Sequence, residues 1–245
     1  MEKNAFKYPD TNSSRAKIEY LNRKFKGQRV AIIGMGGTGS YILDQVSKTP
    51  VSEIHIYDGD LFQLHNAFRA PGAIAGDRME VAGGLKKVQY YFEVYSNMHT
   101  GIVPHDEYVT VENVHQLKDF DYVFISVDKN SVRYMITQQL LEIGVSFIDV
   151  GLGVNMLDDC LIGTLRVTSG TTLKYDHLEN RIGAEELGEN DYATNIQIAE
   201  LNCLNAMQAV IKWKKMTGFY QDLKGEHNTL YFVNTNRTMN EDNAA

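Results

Sequence analysis

The chain has 245 residues, 43% of them hydrophobic, enough for one large α/β domain or two small ones around a sizeable core. Its 31 acidic residues outnumber 24 basic ones, and the resulting formal net charge of -7 offers no basic footprint for nucleic acid. No apolar run approaches the ~18–20 residues that cross a bilayer, and no apolar signal segment follows the charges of MEKNAFKYPDTNSSR. Two cysteines, Cys160 and Cys203, form neither a disulfide framework nor a CxxC zinc site, so a cytoplasmic protein with reduced thiols and no membrane partner is expected.

In chain order, the first fifteen residues are polar and expected to be mobile, and AKIEYLNRKFKG has the spacing of a short amphipathic helix with Ile18, Leu21 and Phe25 on one side. RVAIIG reads as a buried strand, SYILDQVSKTP as a helix closed by Pro50, and EIHIYDGD as a second strand. Together Arg29 to Asp60 form a βαβ unit with a right-handed crossover. After the loop NAFRAPGAIAGDR come a helix from Glu80 to Ser96, a strand from Gly101 to Tyr108, a short helix from Val111 to Leu117 and the strand DYVFISV. SVRYMITQQLLEIG continues as a helix, VSFIDVGLG as a buried strand, and LDDCLIGTLRVTSG as an antiparallel strand extending the sheet. Residues 171–194, with the acids of GAEELGEND, read as a long exposed crossover loop. A helix over NIQIAELNCLNAMQAVIKWKK, a strand TLYFVN and a polar tail complete a Rossmann-like α/β fold, a mixed, mostly parallel sheet flanked by helices in a single domain over 1–245.

The glycines Gly34, Gly36, Gly37 and Gly39 follow a strand and open a helix, where backbone N–H groups and the positive helix end bind phosphate. Tight strand–helix packing is the plainer reason for such glycines. Asp58, at the end of the next strand, matches an acid that accepts hydrogen bonds from ribose hydroxyls, and up to this point NAD and ATP fit equally. Downstream, Asp60, Asn66 and Arg69 in DGDLFQLHNAFR, Lys86 and Lys87 at a helix start, and Asp128 after DYVFISV supply cations and a carboxylate suited to a reacting triphosphate and Mg²⁺.

In this joint pattern residues Arg29 to Asn155 resemble the ThiF/MoeB/HesA adenylyltransferases, whose fold the ubiquitin-activating enzymes share. The elements are the GxGGxGS loop from Gly34 to Ser40, DxD at Asp58 and Asp60, an Asn and an Arg three apart at Asn66 and Arg69, a Lys opening the next helix, and Asp128. The resemblance implies ATP over the glycine loop, ribose on Asp58, phosphates on Arg69 and Lys87, and Mg²⁺ on Asp128. It further implies adenylation of the C-terminal glycine of a ubiquitin-like or sulfur-carrier-like protein, a homodimer, and in some bacterial relatives a conjugating-enzyme-like partner.

The sequence departs from the family where the loop between Arg69 and Lys87 is longer, which leaves Lys86 and Lys87 competing, with Lys87 preferred. The family's paired CxxC zinc motif is missing, so structural zinc is not expected. Arg15 is a candidate only by location for the arginine that some relatives lend to a dimer mate, and Arg133 stands where the family often has an arginine, an ordinary surface ion pair being the rival reading. Asn66 and Arg69 also suit the pinning of a loop, and Asp60 a cap. Cys160 beside two aspartates and Cys203 inside a helix read as bystander or core rather than as thioester-forming thiols. A NAD-dependent oxidoreductase and an inactive nucleotide-binding scaffold subunit are the competing functional readings.

Overall fold

The computed structural model describes residues 4–80, 83–182 and 196–243. Eight strands form one sheet in the order β10-β9-β8-β7-β6-β1-β2-β5. β1 (Arg29–Ile33), β2 (Glu53–Tyr57), β5 (Ile102–His105), β6 (Tyr122–Ile125) and the first part of β7 (Ser146–Leu157) pair in parallel. β8 (Cys160–Gly170), β9 (Glu226–Phe232) and β10 (Arg237–Asn243) add three antiparallel strands at the β7 side. A two-residue pair, β3 (Leu61–Phe62) with β4 (Leu85–Lys86), stands apart.

The parallel strands are short β-branched runs because both their faces are covered. In β1, Val30 and Ile32 enter one apolar layer with Ile54, Ile56, Phe124 and Trp213, whereas Ala31 and Ile33 enter the other with Val123, Ile125 and Phe147. Helix α2 (Gly37–Val46) connects β1 to β2 and packs against the long late helix, called α7 here (Ala199–Met216), which also lies on β7 and β8. From β1 the chain leaves to β2 on one side and meets β6 on the other, so the carboxyl ends of β1 and β6 border the point where strand order reverses.

Several boundaries differ from the sequence expectation, each for a local reason. From Asn4 onward the polar opening makes specific contacts: Lys7 N–H donates to Met98 O at 2.9 Å, Thr100 N–H to Ala5 O at 2.8 Å, and Asp10 caps α1 (Thr11–Arg15). AKIEYLNRKFKG is not one α-helix; Lys17 takes φ 59° and only a 3₁₀ segment, Glu19–Lys24, follows before the buried Phe25. The helix expected from Glu80 starts at Lys87 as α4 (Lys87–Tyr95), because Leu85 and Lys86 are extended and paired with β3. LDDCLIGTLRVTSG is not a single strand. Leu157 ends β7, and Asp158 and Asp159, at φ 47° and 61°, make the two-residue turn of a hairpin in a conformation that aspartate tolerates. The polar tail is the edge strand β10, whose mostly solvated side chains carry no apolar alternation. Of the expected crossover loop, residues 171–182 include the short α6 (Leu178–Arg181), while 183–194 lie outside the described residues.

Candidate functional site

The glycine loop turns directly out of β1. Gly34 takes φ +88°, and a Cβ there would come within 2.3 Å of Ser126 O at the end of β6, so conformation and proximity both demand glycine. At Gly39 an added Cβ would sit 1.9 Å from Gly34 O: this residue lets the first turn of α2 press onto the loop and does not line the cleft. Gly37 would meet the Asn202 carboxamide of α7, whereas nothing lies within 4 Å of the Cβ position at Gly36. The loop is thus gripped from beneath and open at Gly36. Thr38 Oγ1 donates to Asn202 Oδ1 at 3.0 Å, fastening the start of α2 to α7.

Asp58 follows β2 and is 6% exposed. Its Oδ2 accepts from Met35 N–H at 2.7 Å and its Oδ1 from Asp60 N–H at 2.8 Å, so the carboxylate shapes both the glycine loop and its own turn. Each oxygen also accepts a longer hydrogen bond from Lys87 Nζ, at 3.5 Å for Oδ1 and 3.4 Å for Oδ2. Lys87, buried at the start of α4, places Nζ 2.7 Å from Asp60 Oδ2 and 3.4 Å from Asp58 Oδ2. Burial acts to raise the pKa of Asp60, but hydrogen bonds from Lys87 and Tyr108 outweigh it and hold the carboxyl below its ordinary value. The Tyr108 hydroxyl, donating to Asp60, is pushed up to about 12, chiefly by that hydrogen bond. Lys86 turns elsewhere, to Gly59 O and to Asp106, both at 3.0 Å.

Arg69 follows the short helix α3 (Leu64–Ala67), whose first turn is closed by Asn66. The Asn66 side-chain oxygen accepts from Gln63 N–H at 2.8 Å, so Asn66 shapes the segment rather than lining the cleft. Arg69 is half-buried, and its Nε is buried without a hydrogen-bond partner. Burial pushes its pKa down, opposed by the nearby Tyr91 and Asp128. Asp128 is exposed on the loop between β6 and α5 (Asn130–Glu142).

These groups share one cleft of about 1060 Å³ at the carboxyl edge of the parallel strands, where Gly34, Gly36, Gly37, Asp58, Asp60, Arg69, Lys87 and Asp128 all contribute to the wall. The cleft continues along β7 and β8, past Gly151, Asn155, Thr164, Arg166 and Asn205. Asp149 of β7, fully buried, pairs there with Arg133 and Arg166. Arg133 is therefore held in a buried ion pair rather than a surface one. Sequence reasoning passed over Asp149 and Arg166, although a carboxylate inside the apolar run VSFIDVG signals an internal cation. Arg15 is exposed at the end of α1 and does not line the cleft of its own chain. Cys160 is exposed at the start of β8, and burial followed by the Asp44 charge pushes the Cys203 thiol up, away from the reactive thiolate.

A doubly wound sheet with a glycine-gripped loop at its switch point, cations and a carboxylate gathered above it, defines a protein of the Rossmann-like class. More narrowly, the chain belongs to the ThiF family, whose profile matches residues 15–243. Among solved structures, Escherichia coli MccB with MccA-N7isoAsn has a TM-score of 0.72 and 14% identity, over 96% of this chain and 72% of that one. Escherichia coli MccB with ATP gives 0.70 and 15% over 96% and 72%, and PaaA gives 0.66 and 14% over 96% and 74%. At such identities the likeness is one of fold. Among curated proteins none matches the sequence. No helix among the described residues is long and apolar enough to cross a membrane.

Proposed function

We propose that this chain is a single-domain adenylyltransferase that uses ATP to activate a carboxylate at the end of a peptide or protein, the C-terminal glycine of a ubiquitin-like or sulfur-carrier-like protein. The observation that carries this reading is the meeting of Arg69, Lys87 and Asp128 with the open face of the glycine loop in one cleft. Family membership supports it, as does the likeness to MccB, a microcin C7 biosynthetic enzyme whose structures include complexes with ATP and with N-formylated MccA.

In the reaction a substrate carboxylate oxygen attacks the α-phosphorus. The new O–P bond forms as the bond from that phosphorus to the bridging oxygen breaks, and the electron pair leaves with pyrophosphate. No nucleophile from the chain is required, so catalysis is positioning and charge stabilisation. Lys87 exchanges its Asp60 and Asp58 partners for phosphate oxygens, the Arg69 guanidinium donates to a second phosphate oxygen, and Asp58 accepts from ribose hydroxyls with the lone pairs that Lys87 releases. Asp128, an exposed carboxylate on the cleft wall, suits Mg²⁺, an ion that keeps mostly water and phosphate oxygens as ligands. The ion, when bound, neutralises charge on the phosphates. A homodimer and a conjugating-enzyme-like partner follow from the family resemblance.

The test is ATP–pyrophosphate exchange with a panel of small proteins ending in glycine, with intact-mass detection of the added AMP. Lys87→Ala and Asp128→Ala should each lower exchange by about 10²–10³-fold with unchanged circular dichroism. Wild-type exchange in both variants would remove the assignment.

A further inference from the structure

Asp149 is wholly buried inside β7 yet faces two guanidinium groups. Its Oδ1 lies 2.9 Å from Arg133 Nε, and its Oδ2 accepts from Arg166 Nη2. One cation balances one carboxylate, so the second is surplus. Around the glycine loop, by contrast, Asp58, Asp60 and Asp128 face Arg69, Lys87 and Lys129, three charges against three, all lining the same cleft.

The two arginines are engaged differently. Arg133 directs Nη2 to Val127 O at 2.6 Å and Val150 O at 3.2 Å, and Nη1 to Asn130 Oδ1 at 3.0 Å, so it ties the end of β6 to β7. Arg166, on β8 directly opposite Gly151, donates once to Asp149 and once to Thr168 Oγ1. A guanidinium carries five N–H donors, more than these two bonds use, and Arg166 lines the cleft. Gly151 makes room for it, since a Cβ there would lie 3.1 Å from Arg166 Nη2. The Arg166 side chain is 16% exposed, so an anion reaching it meets a largely desolvated cation.

A second group on the same wall points to a ligand. Asn205 of α7 is 0% exposed, donates Nδ2 to Gly151 O at 2.9 Å, and leaves Oδ1 buried with no partner. A surplus donor fork beside an orphaned acceptor is complementary to the end of a polypeptide, a carboxylate preceded by an amide N–H.

We propose that Arg166 is a specificity-determining residue that receives the free carboxylate of the acyl substrate, with Asn205 Oδ1 accepting the last peptide N–H and Asp149 acting as the positioning residue that orients the fork. This rests on the adenylation reading above and deepens it. The site takes a chain ending in an unmodified α-carboxylate; Arg166 holds one carboxylate oxygen and the other stays available as nucleophile.

The test uses two probes that differ only at the terminus, glycylglycine and glycylglycinamide, titrated into ¹⁵N-labelled full chain while the Arg166 Nε–H resonance is followed. Glycylglycine should shift that resonance saturably and bind about tenfold or more tightly than the amide. Arg166→Gln should abolish this preference, Arg166→Lys should retain part of it, and Gly151→Ala, which crowds the fork without changing charge, should weaken it. A fluorescent ATP analogue should bind wild type and all three variants alike. Equal binding of the two dipeptides to wild type, no binding of glycylglycine, or a preference that survives in Arg166→Gln overturns the proposal. Failure of the ATP analogue to bind wild type strikes the adenylation reading instead and is read separately.

Discussion

The two ends of the cleft are built in opposite ways. At the glycine-loop end the wall comes largely from the turns that leave β1, β2 and β6 and from the start of α4, so its residues stand at strand and helix termini. At the other end it comes from side chains inside long antiparallel strands and from the middle of α7, where Arg166 reaches Asp149 only because β8 folds back on β7 through the Asp158–Asp159 turn. The first kind of wall is set by local punctuation, the second by strand register. In the proposed reaction phosphate chemistry falls to loops on a rigid edge, and the neighbouring chamber belongs to the sheet itself.

The most disruptive way to separate the two ends is to remove the charge that only one of them contains. Asp149→Ala strands two arginines in a buried wall and should cost about 3–5 kcal/mol of stability, read from urea unfolding. A loss below about 1 kcal/mol would mean that register alone, without the ion pair, keeps that wall in place. At the loop end the same question is put to rate rather than to stability. There Lys86→Ala is the control for Lys87→Ala: Lys86 points to Gly59 and Asp106, and exchange should change by no more than about threefold. A large loss in the Lys86 variant would exchange the roles of the two lysines. Between these lies Gly39→Ala, whose Cβ is driven into Gly34 O; it should destabilise by about 1–3 kcal/mol and lower nucleotide affinity only through displacement of the loop. Full stability in that variant would return Gly39 to the group of ligand-facing glycines.

What was legible in the sequence follows the same division. The parallel strands, the glycine loop, Asp58, Arg69, Lys87 and Asp128 are marked by short-range patterns: an apolar run, a glycine cluster, an acid at a strand end. The helix at Lys87 starts later than its local residues suggest because β3 and β4 pair across more than twenty residues and hold Leu85 and Lys86 extended. The edge strand β10 escaped notice since a strand that faces water has no apolar rhythm to display. Gly37 and Gly39 look identical to Gly36 on paper; only the neighbours brought by α7 and by the loop itself tell a packing glycine from an open one. Arg166 stands seventeen residues from Asp149, and pairing across a hairpin is visible only when the turn is placed between Leu157 and Cys160.

The hydrogen bond between Thr38 and Asn202 joins residues 164 positions apart and sets the glycine loop upon the late helix α7. The seat of the glycine loop therefore depends on a helix late in the chain, and a substitution that frees α7 also frees the start of α2. Asn205, one turn further along the same helix, attaches it to β7 beside Arg166. A single helix thus anchors both ends of the cleft.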